Sequence, residues 1–280
     1  MRLRHAVFIV VLAVVIGVGV ATWRGSGPLP DPEGCTAELT GTRVHLSTEQ
    51  AENASLISAI GVRRGLPARA VSIALATAYQ ESKIANIDYG DRDSLGLFQQ
   101  RPSQGWGTPA QVRDPYYATN AFYDALAKIP DYQSLRITEA AQKVQRSGFP
   151  EAYEDHAADA RILASVLTGY SPGGLFSCVV REPTQPGTAI RTMRQVERAF
   201  GDLNMRRTGS RQDVAVTVSR SEQGSRLGWS VAQFAVAHAA RLSPERVAHA
   251  GKHWQTGRVS EEGWQPGGGA NARTVRISMG

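Results

Sequence analysis

Sulfur is scarce in this chain: of its 280 residues two are cysteine and four are methionine. Cys35 and Cys178 form no Cys-x-x-Cys pair and have no histidine pair beside them, a spacing that suits neither zinc binding nor thiol-redox chemistry. The lack of a methionine-rich tract disfavours soft heavy-metal handling as well. His156, with Asp155 and Asp159 nearby, reads as the solvated face of a polar helix, and His238, His249 and His253 sit among apolar residues as structural histidines. No metal site and no cofactor are therefore expected. Internal repeats are missing, and there is one long apolar run, which cannot form a transport pathway on its own. No nucleic-acid-binding motif accompanies the arginines at 191, 194, 206, 207 and 211. With 20% charged and 42% hydrophobic residues, the composition is that of a globular chain with enough length to bury a core.

What is present begins with an address. Arg2, Arg4 and His5 precede an apolar run from Ala6 to Thr22, closed by Trp23 and Arg24. As a helix the run would span roughly 26 Å, against about 30 Å for a bilayer's hydrocarbon core. The early arginines favour a cytoplasmic N-terminus, with the bulk of the chain outside the cell membrane. The expectation is a single-pass signal-anchor over 1–24. A cleaved signal peptide is the alternative, with Gly19 and Ala21 at suitable spacing, and would leave the protein secreted. In an oxidising compartment Cys35 and Cys178 most simply pair with each other. The net charge of +6 favours anionic surroundings. Export removes nucleic acid as the partner and leaves the membrane surface and anionic wall polymers.

Residues 25–34 are rich in glycine and proline and read as a spacer. From Cys35 to His45 the alternation is weak and supports at most one short strand. Ser47 and Gln50 form a capping box that opens a helix to about Arg64, and a second helix is predicted from Pro67 to Ser82. An irregular stretch over 86–115 follows, then helices over Tyr117–Lys128, Thr138–Gln145 and Ala152–Leu167. Residues 179–188 read as a linker. Beyond it a helix near Ala189–Phe200, a strand over Asp213–Val218, a helix over Trp229–Arg241 and strands near 246–250, 253–255 and 273–278 suggest a small α/β (α+β) module. The expected architecture is a mainly α domain over 35–178 and a module over 189–280, behind one transmembrane helix.

The chemistry-bearing stretch is Ala76–Lys83 (ATAYQESK), followed by Ser94–Gln100 (SLGLFQQ). Glu81 shares a helix face with Ala74, Thr77 and Ala78, near the helix C-terminus. Apolar surroundings and the negative end of the helix dipole both raise a carboxyl pKa. A carboxylic acid protonated near neutral pH is what a glycosidase needs to protonate a departing sugar oxygen. Taken alone, the position also fits an ordinary solvated glutamate at a fraying helix end.

Glu81–Ser82 together with Gly96–Leu97–Phe98–Gln99 resembles the signature of the lysozyme-like superfamily, especially soluble lytic transglycosylases and goose-type lysozymes. There Glu–Ser ends an apolar helix and a Gly–Leu–Met–Gln turn follows. The resemblance covers roughly Thr48 to Leu167. The run GLFQQRPSQGWGTPAQVRDP is also similar to actinobacterial exported proteins with a lysozyme-like domain, which too carry an early and a late cysteine and a small C-terminal module. The resemblance implies that Glu81 is the general acid and then the base. Gly96 would admit the sugar close to the backbone, and Gln99 would bond an N-acetyl group or a hydroxyl. Trp106 and one of Tyr116 or Tyr117 could face pyranose rings, with core packing as the alternative for each aromatic. Asp88, Asp91 and Asp93 follow Glu81 in the loop and could position water, or simply cap turns. The family also carries an Ala–Tyr–Asn–Ala–Gly motif whose tyrosine lines the site. Here the corresponding place is Val144–Gly148 (VQRSG), where Gln145 is the polar replacement. The implied function is cleavage of peptidoglycan glycan strands by a muramidase or lytic transglycosylase. The alternative is a catalytically silent wall-binding or scaffolding protein, such as an accessory of a secretion or conjugation machine.

Overall fold

Ser47 opens the first helix as its capping box predicts. Its hydroxyl accepts the Gln50 amide at 3.2 Å, and the Gln50 side chain accepts the Ser47 amide at 2.8 Å. A computed structural model describes residues 32–181, 186–209 and 213–280. This helix, α1 (Thr48–Arg63), is buried at every position from Asn53 to Gly61. Such a helix needs neighbours on all sides. They are α2 (Ala68–Ser82), α4 (Pro115–Leu126), α6 (Ala157–Leu167), α7 (Ala189–Phe200) and α8 (Glu222–Ala237). Between these lie the short α3 (Pro109–Val112), α5 (Ile137–Gln145) and, after α8, α9 (Ala239–Leu242). The single helix predicted over Ala152–Leu167 divides into a 3-10 turn, Ala152–His156, and α6.

The expected fold class needs correction on its strands. The described residues hold two antiparallel sheets. One has three strands, β1 (Gly34–Leu39), β2 (Thr42–Leu46) and β3 (Phe176–Val179), in the order β2-β1-β3. The stretch read as one strand is thus a hairpin. Thr40 and Gly41 form its tight turn with φ of 50° and 82°, the doubly positive pattern that matches strand twist. Its inward residues are the modest Cys35, Ala37, Val44 and Leu46, which is why the alternation looked weak. Cys35 faces Cys178 in register across β1 and β3, and a disulfide joins them, Cα to Cα 3.9 Å, closing a sequence separation of 143.

The second sheet has six strands in the order β4-β5-β9-β6-β7-β8. They are β4 (Met205–Thr208), β5 (Asp213–Thr217), β6 (Pro244–His249), β7 (Lys252–Gln255), β8 (Gln265–Pro266) and β9 (Thr274–Met279). Helix α8 packs against β6 and β9 and also against α1. Its Trp229 meets the His249 ring edge-on at 5.1 Å and the Trp264 ring at 5.4 Å. Indole N–H groups tie the two sheets: Trp254 donates to the Cys178 carbonyl and Trp264 to the Phe176 carbonyl. Gly34–Gly280 accordingly form one compact unit. The fold is a mixed one with two antiparallel sheets, not a mainly helical domain with a small α/β module appended. The anchor expected over 1–24 lies outside the described residues, and among those described no helix is long and apolar enough to cross a membrane.

Candidate active site

Helix α2 ends one residue after Glu81, and the manner of its ending places the carboxylate. Lys83 and Ile84 both turn left-handed, with φ of 58° and 59°, and their amides return to the carbonyls of Tyr79 and Ala78. Ile84 is fully buried, so the chain is pulled inward beyond the helix. Ser82 donates to the Leu97 carbonyl at 2.8 Å and so clamps the helix end to the turn at Gly96–Gln99. The Glu–Ser pair and the turn are one local unit.

Gly96 in that turn has φ of 76°, and a Cβ there would stand 2.2 Å from the Val112 carbonyl oxygen. Only glycine meets both demands. The following Leu97 and Phe98 are fully buried, with Phe98 stacked on Phe122 at 4.6 Å between centroids. Phenylalanine thus fills an apolar slot in which the resemblance expects methionine. Gln99 turns its amide back onto the loop, donating to the carbonyls of Tyr89 at 3.2 Å and Gly96 at 3.3 Å. As placed, it shapes the turn, and its remaining capacity for hydrogen bonds is partial.

Glu81 is half-buried and held by two side chains. The Tyr153 hydroxyl donates to Glu81 Oε1 at 2.7 Å. The Gln145 amide is the second hydrogen-bonding neighbour, and it also donates to the Phe98 carbonyl at 2.7 Å. Burial pushes the Glu81 carboxyl above the usual carboxylate range, while the bonds from Tyr153 and Gln145 pull the other way. The net direction is upward, toward an acid that keeps its proton. Burial, with the neighbouring Glu81 charge, in turn raises the Tyr153 phenol, so Tyr153 remains a donor.

Tyr153 escaped the sequence reading. The resemblance asks for a tyrosine hydroxyl within residues 144–148, whereas here one reaches the acid from the 3-10 turn at Ala152–His156. A usable signal existed, since Tyr153 is the one tyrosine between Tyr132 and Tyr170. Glu81, Gly96, Gln99 and Gln145 are joined with it through bonds among their side chains and the turn. Trp106 and Tyr117 stand outside that network. They are both partly buried, and Tyr117 packs its ring under Gly107, next in chain to Trp106. Tyr116 is buried beneath the Arg198 guanidinium, 3.8 Å from the ring centroid, and bonded by Gln195, as in core packing.

The loop aspartates divide. Asp93 accepts the Ser103 amide at 2.7 Å, the Ser103 hydroxyl at 2.9 Å and Arg101 Nε at 3.0 Å, and those bonds hold its carboxyl down at about 2. It is an ionised turn cap. Asp88 and Asp91 are exposed beside Arg113 and Arg92. His156 stacks on Tyr79 and donates to Gln80 at 2.9 Å. His238 and His249 are buried and bonded to backbone carbonyls. Among the described residues no group of three or more His, Cys, Asp or Glu side chains could hold a metal ion. The chemistry on offer at Glu81 is thus proton transfer by one carboxyl oriented by a phenol and an amide.

Comparison with protein-family models gives no match for this chain, and comparison with the curated proteins gives none either.

Proposed function

We propose that this protein cleaves peptidoglycan glycan strands outside the cytoplasm, at the β-1,4 bond between N-acetylmuramic acid and N-acetylglucosamine. The supporting observation is the half-buried Glu81 carboxyl, raised in pKa by burial and oriented by Tyr153 and Gln145 beside the Gly96–Gln99 turn. Glu81 protonates the leaving sugar oxygen and then acts as the base. Its bonded network contains no second carboxylate, which suits a mechanism in which the substrate's own acetamido group assists departure. The space beside Gly96 is taken by the Val112 carbonyl, so its part in this reading is to hold the turn next to Glu81 rather than to admit the sugar.

The test is incubation of the full chain and its Glu81→Gln variant with purified sacculi, followed by mass spectrometry of the released material. Release by the parent that is abolished in Glu81→Gln supports the enzyme, and an anhydro or hydrated muramic end identifies the reaction. Pelleting with sacculi and no release from either protein supports the silent wall-binder instead. A basic exported chain of net charge +6 would be drawn to anionic wall polymers in both cases.

A further inference from the structure

Two large side chains stand further out in water than any other large hydrophobic residue described, and both belong to loops attached to Glu81. Tyr89 is 70% exposed and Phe149 is 76% exposed, whereas Tyr170, Ile190 and Val259 lie between 45% and 49%. Tyr89 belongs to the loop after α2. Its carbonyl accepts the Gln99 amide, Gln99 follows Phe98, and the Phe98 carbonyl accepts Gln145, which bonds Glu81. Phe149 follows α5. Its amide donates to the Ser147 hydroxyl at 3.1 Å, Ser147 bonds the Tyr153 hydroxyl, and Tyr153 donates to Glu81. Two separate loops are thus connected to the same carboxylate through intervening hydrogen-bonded residues, and each carries an exposed ring.

Loops positioned by a scaffold carry binding residues more often than the elements they join. A pyranose ring offers a flat set of C–H bonds that an aromatic face can cover, while its hydroxyls stay in water. An aromatic side chain also has few torsions to freeze on binding. We propose that Tyr89 and Phe149 are stacking platforms for sugar rings, so that the site takes an extended stretch of glycan strand and binds an isolated disaccharide poorly. This rests on the glycan-cleaving reading of Glu81. It moves the ring-facing role away from Trp106 and Tyr117, which are partly buried and outside the bonded network.

The experiment uses the full chain carrying Glu81→Gln, so that ligand survives. The probes are peptide-free glycan strands from amidase-treated peptidoglycan, fractionated into disaccharides and tetrasaccharides, with binding followed by calorimetry. The tetrasaccharide is expected to bind at least about 10-fold more tightly than the disaccharide. Tyr89→Ala and Phe149→Ala should each weaken tetrasaccharide binding about 3- to 10-fold, with Phe149→Trp restoring it. Both side chains are exposed, so the melting temperature of each variant should match the parent's. Unchanged tetrasaccharide affinity in both alanine variants overturns the platform proposal and leaves the Glu81 reading standing. If the parent shows neither binding of these strands nor release from sacculi, both readings fail together.

Discussion

Replacing Tyr153 with phenylalanine isolates the one hydrogen bond that reaches the candidate acid from a residue the sequence reading missed. The ring is fully buried and keeps its shape in the variant, so the change is the loss of a hydroxyl that donates to Glu81 Oε1 at 2.7 Å. A bond to an ionised carboxylate contributes about 1.5–3 kcal/mol, against about 0.5–1.5 kcal/mol for the same bond to a neutral acid. The difference, roughly 1–1.5 kcal/mol, favours the ionised form and corresponds to about one pH unit. Removing the hydroxyl therefore raises the Glu81 pKa further beyond the position that burial alone has given it. In a pH–rate profile of glycan-strand cleavage the alkaline limb should move up by about one pH unit. Side-chain carboxyl NMR should show the same displacement in the absence of substrate. The maximal rate should fall as well, because the carboxyl loses one of its two orienting partners. An alkaline limb that stays in place or moves down would refute the assignment of Tyr153 as a donor to the ionised acid.

Glu81→Gln should stabilise the protein increasingly as pH rises. The folded pKa lies above the unfolded one, so the stability Glu81 contributes at low pH is lost as pH climbs through the folded value. Melting curves from pH 4 to pH 8 check this, and a constant gap between variant and parent contradicts it. His238 runs the other way: burial holds it down at about 3, so stability is complete above the unfolded value near 6.5 and drains as pH falls, by up to about 1.4 kcal/mol per pH unit. In His238→Gln the acid dependence should flatten correspondingly in urea titrations. Opening the Cys35–Cys178 bridge by Cys35→Ser should cost roughly 4–5 kcal/mol in the chain-entropy account, read from denaturant midpoints with and without reductant. Gly96→Ala forces a left-handed backbone and a Cβ against the Val112 carbonyl, so a loss of about 1–3 kcal/mol and a displaced Gln99 are expected, seen as lowered melting temperature and lowered cleavage together.

Helices were legible wherever the information was local. Ser47 and Gln50 cap their own helix, Pro67 precedes α2, and the helix expected near Ala189–Phe200 spans those residues. The same holds for the core of the candidate site, since Glu81–Ser82 and Gly96–Gln99 are each short motifs. Their side chains meet because Ser82 bonds across only 15 residues to Leu97. The disulfide was legible because the chain has two cysteines and its N-terminal apolar run reads as an export signal, which makes their pairing the simplest expectation.

The rest was decided at long range. β3 pairs with a strand about 140 residues earlier, and no periodicity within Phe176–Val179 encodes that partner. β9 inserts between β5 and β6, so the six-stranded sheet exists only when the end of the chain returns to its middle. Helix α8 was placed too late in the chain because its first turn is polar and its buried residues occur on every face, which erases the helical period. Tyr153 reaches Glu81 across 72 residues from a turn whose sequence says nothing about where its ring will point. Local capping and hydrophobic spacing act between residues a few positions apart, so the chain itself writes them. Strand partners and the neighbours of a buried carboxylate depend on which distant surfaces exclude water together, and that is settled only when the whole core closes.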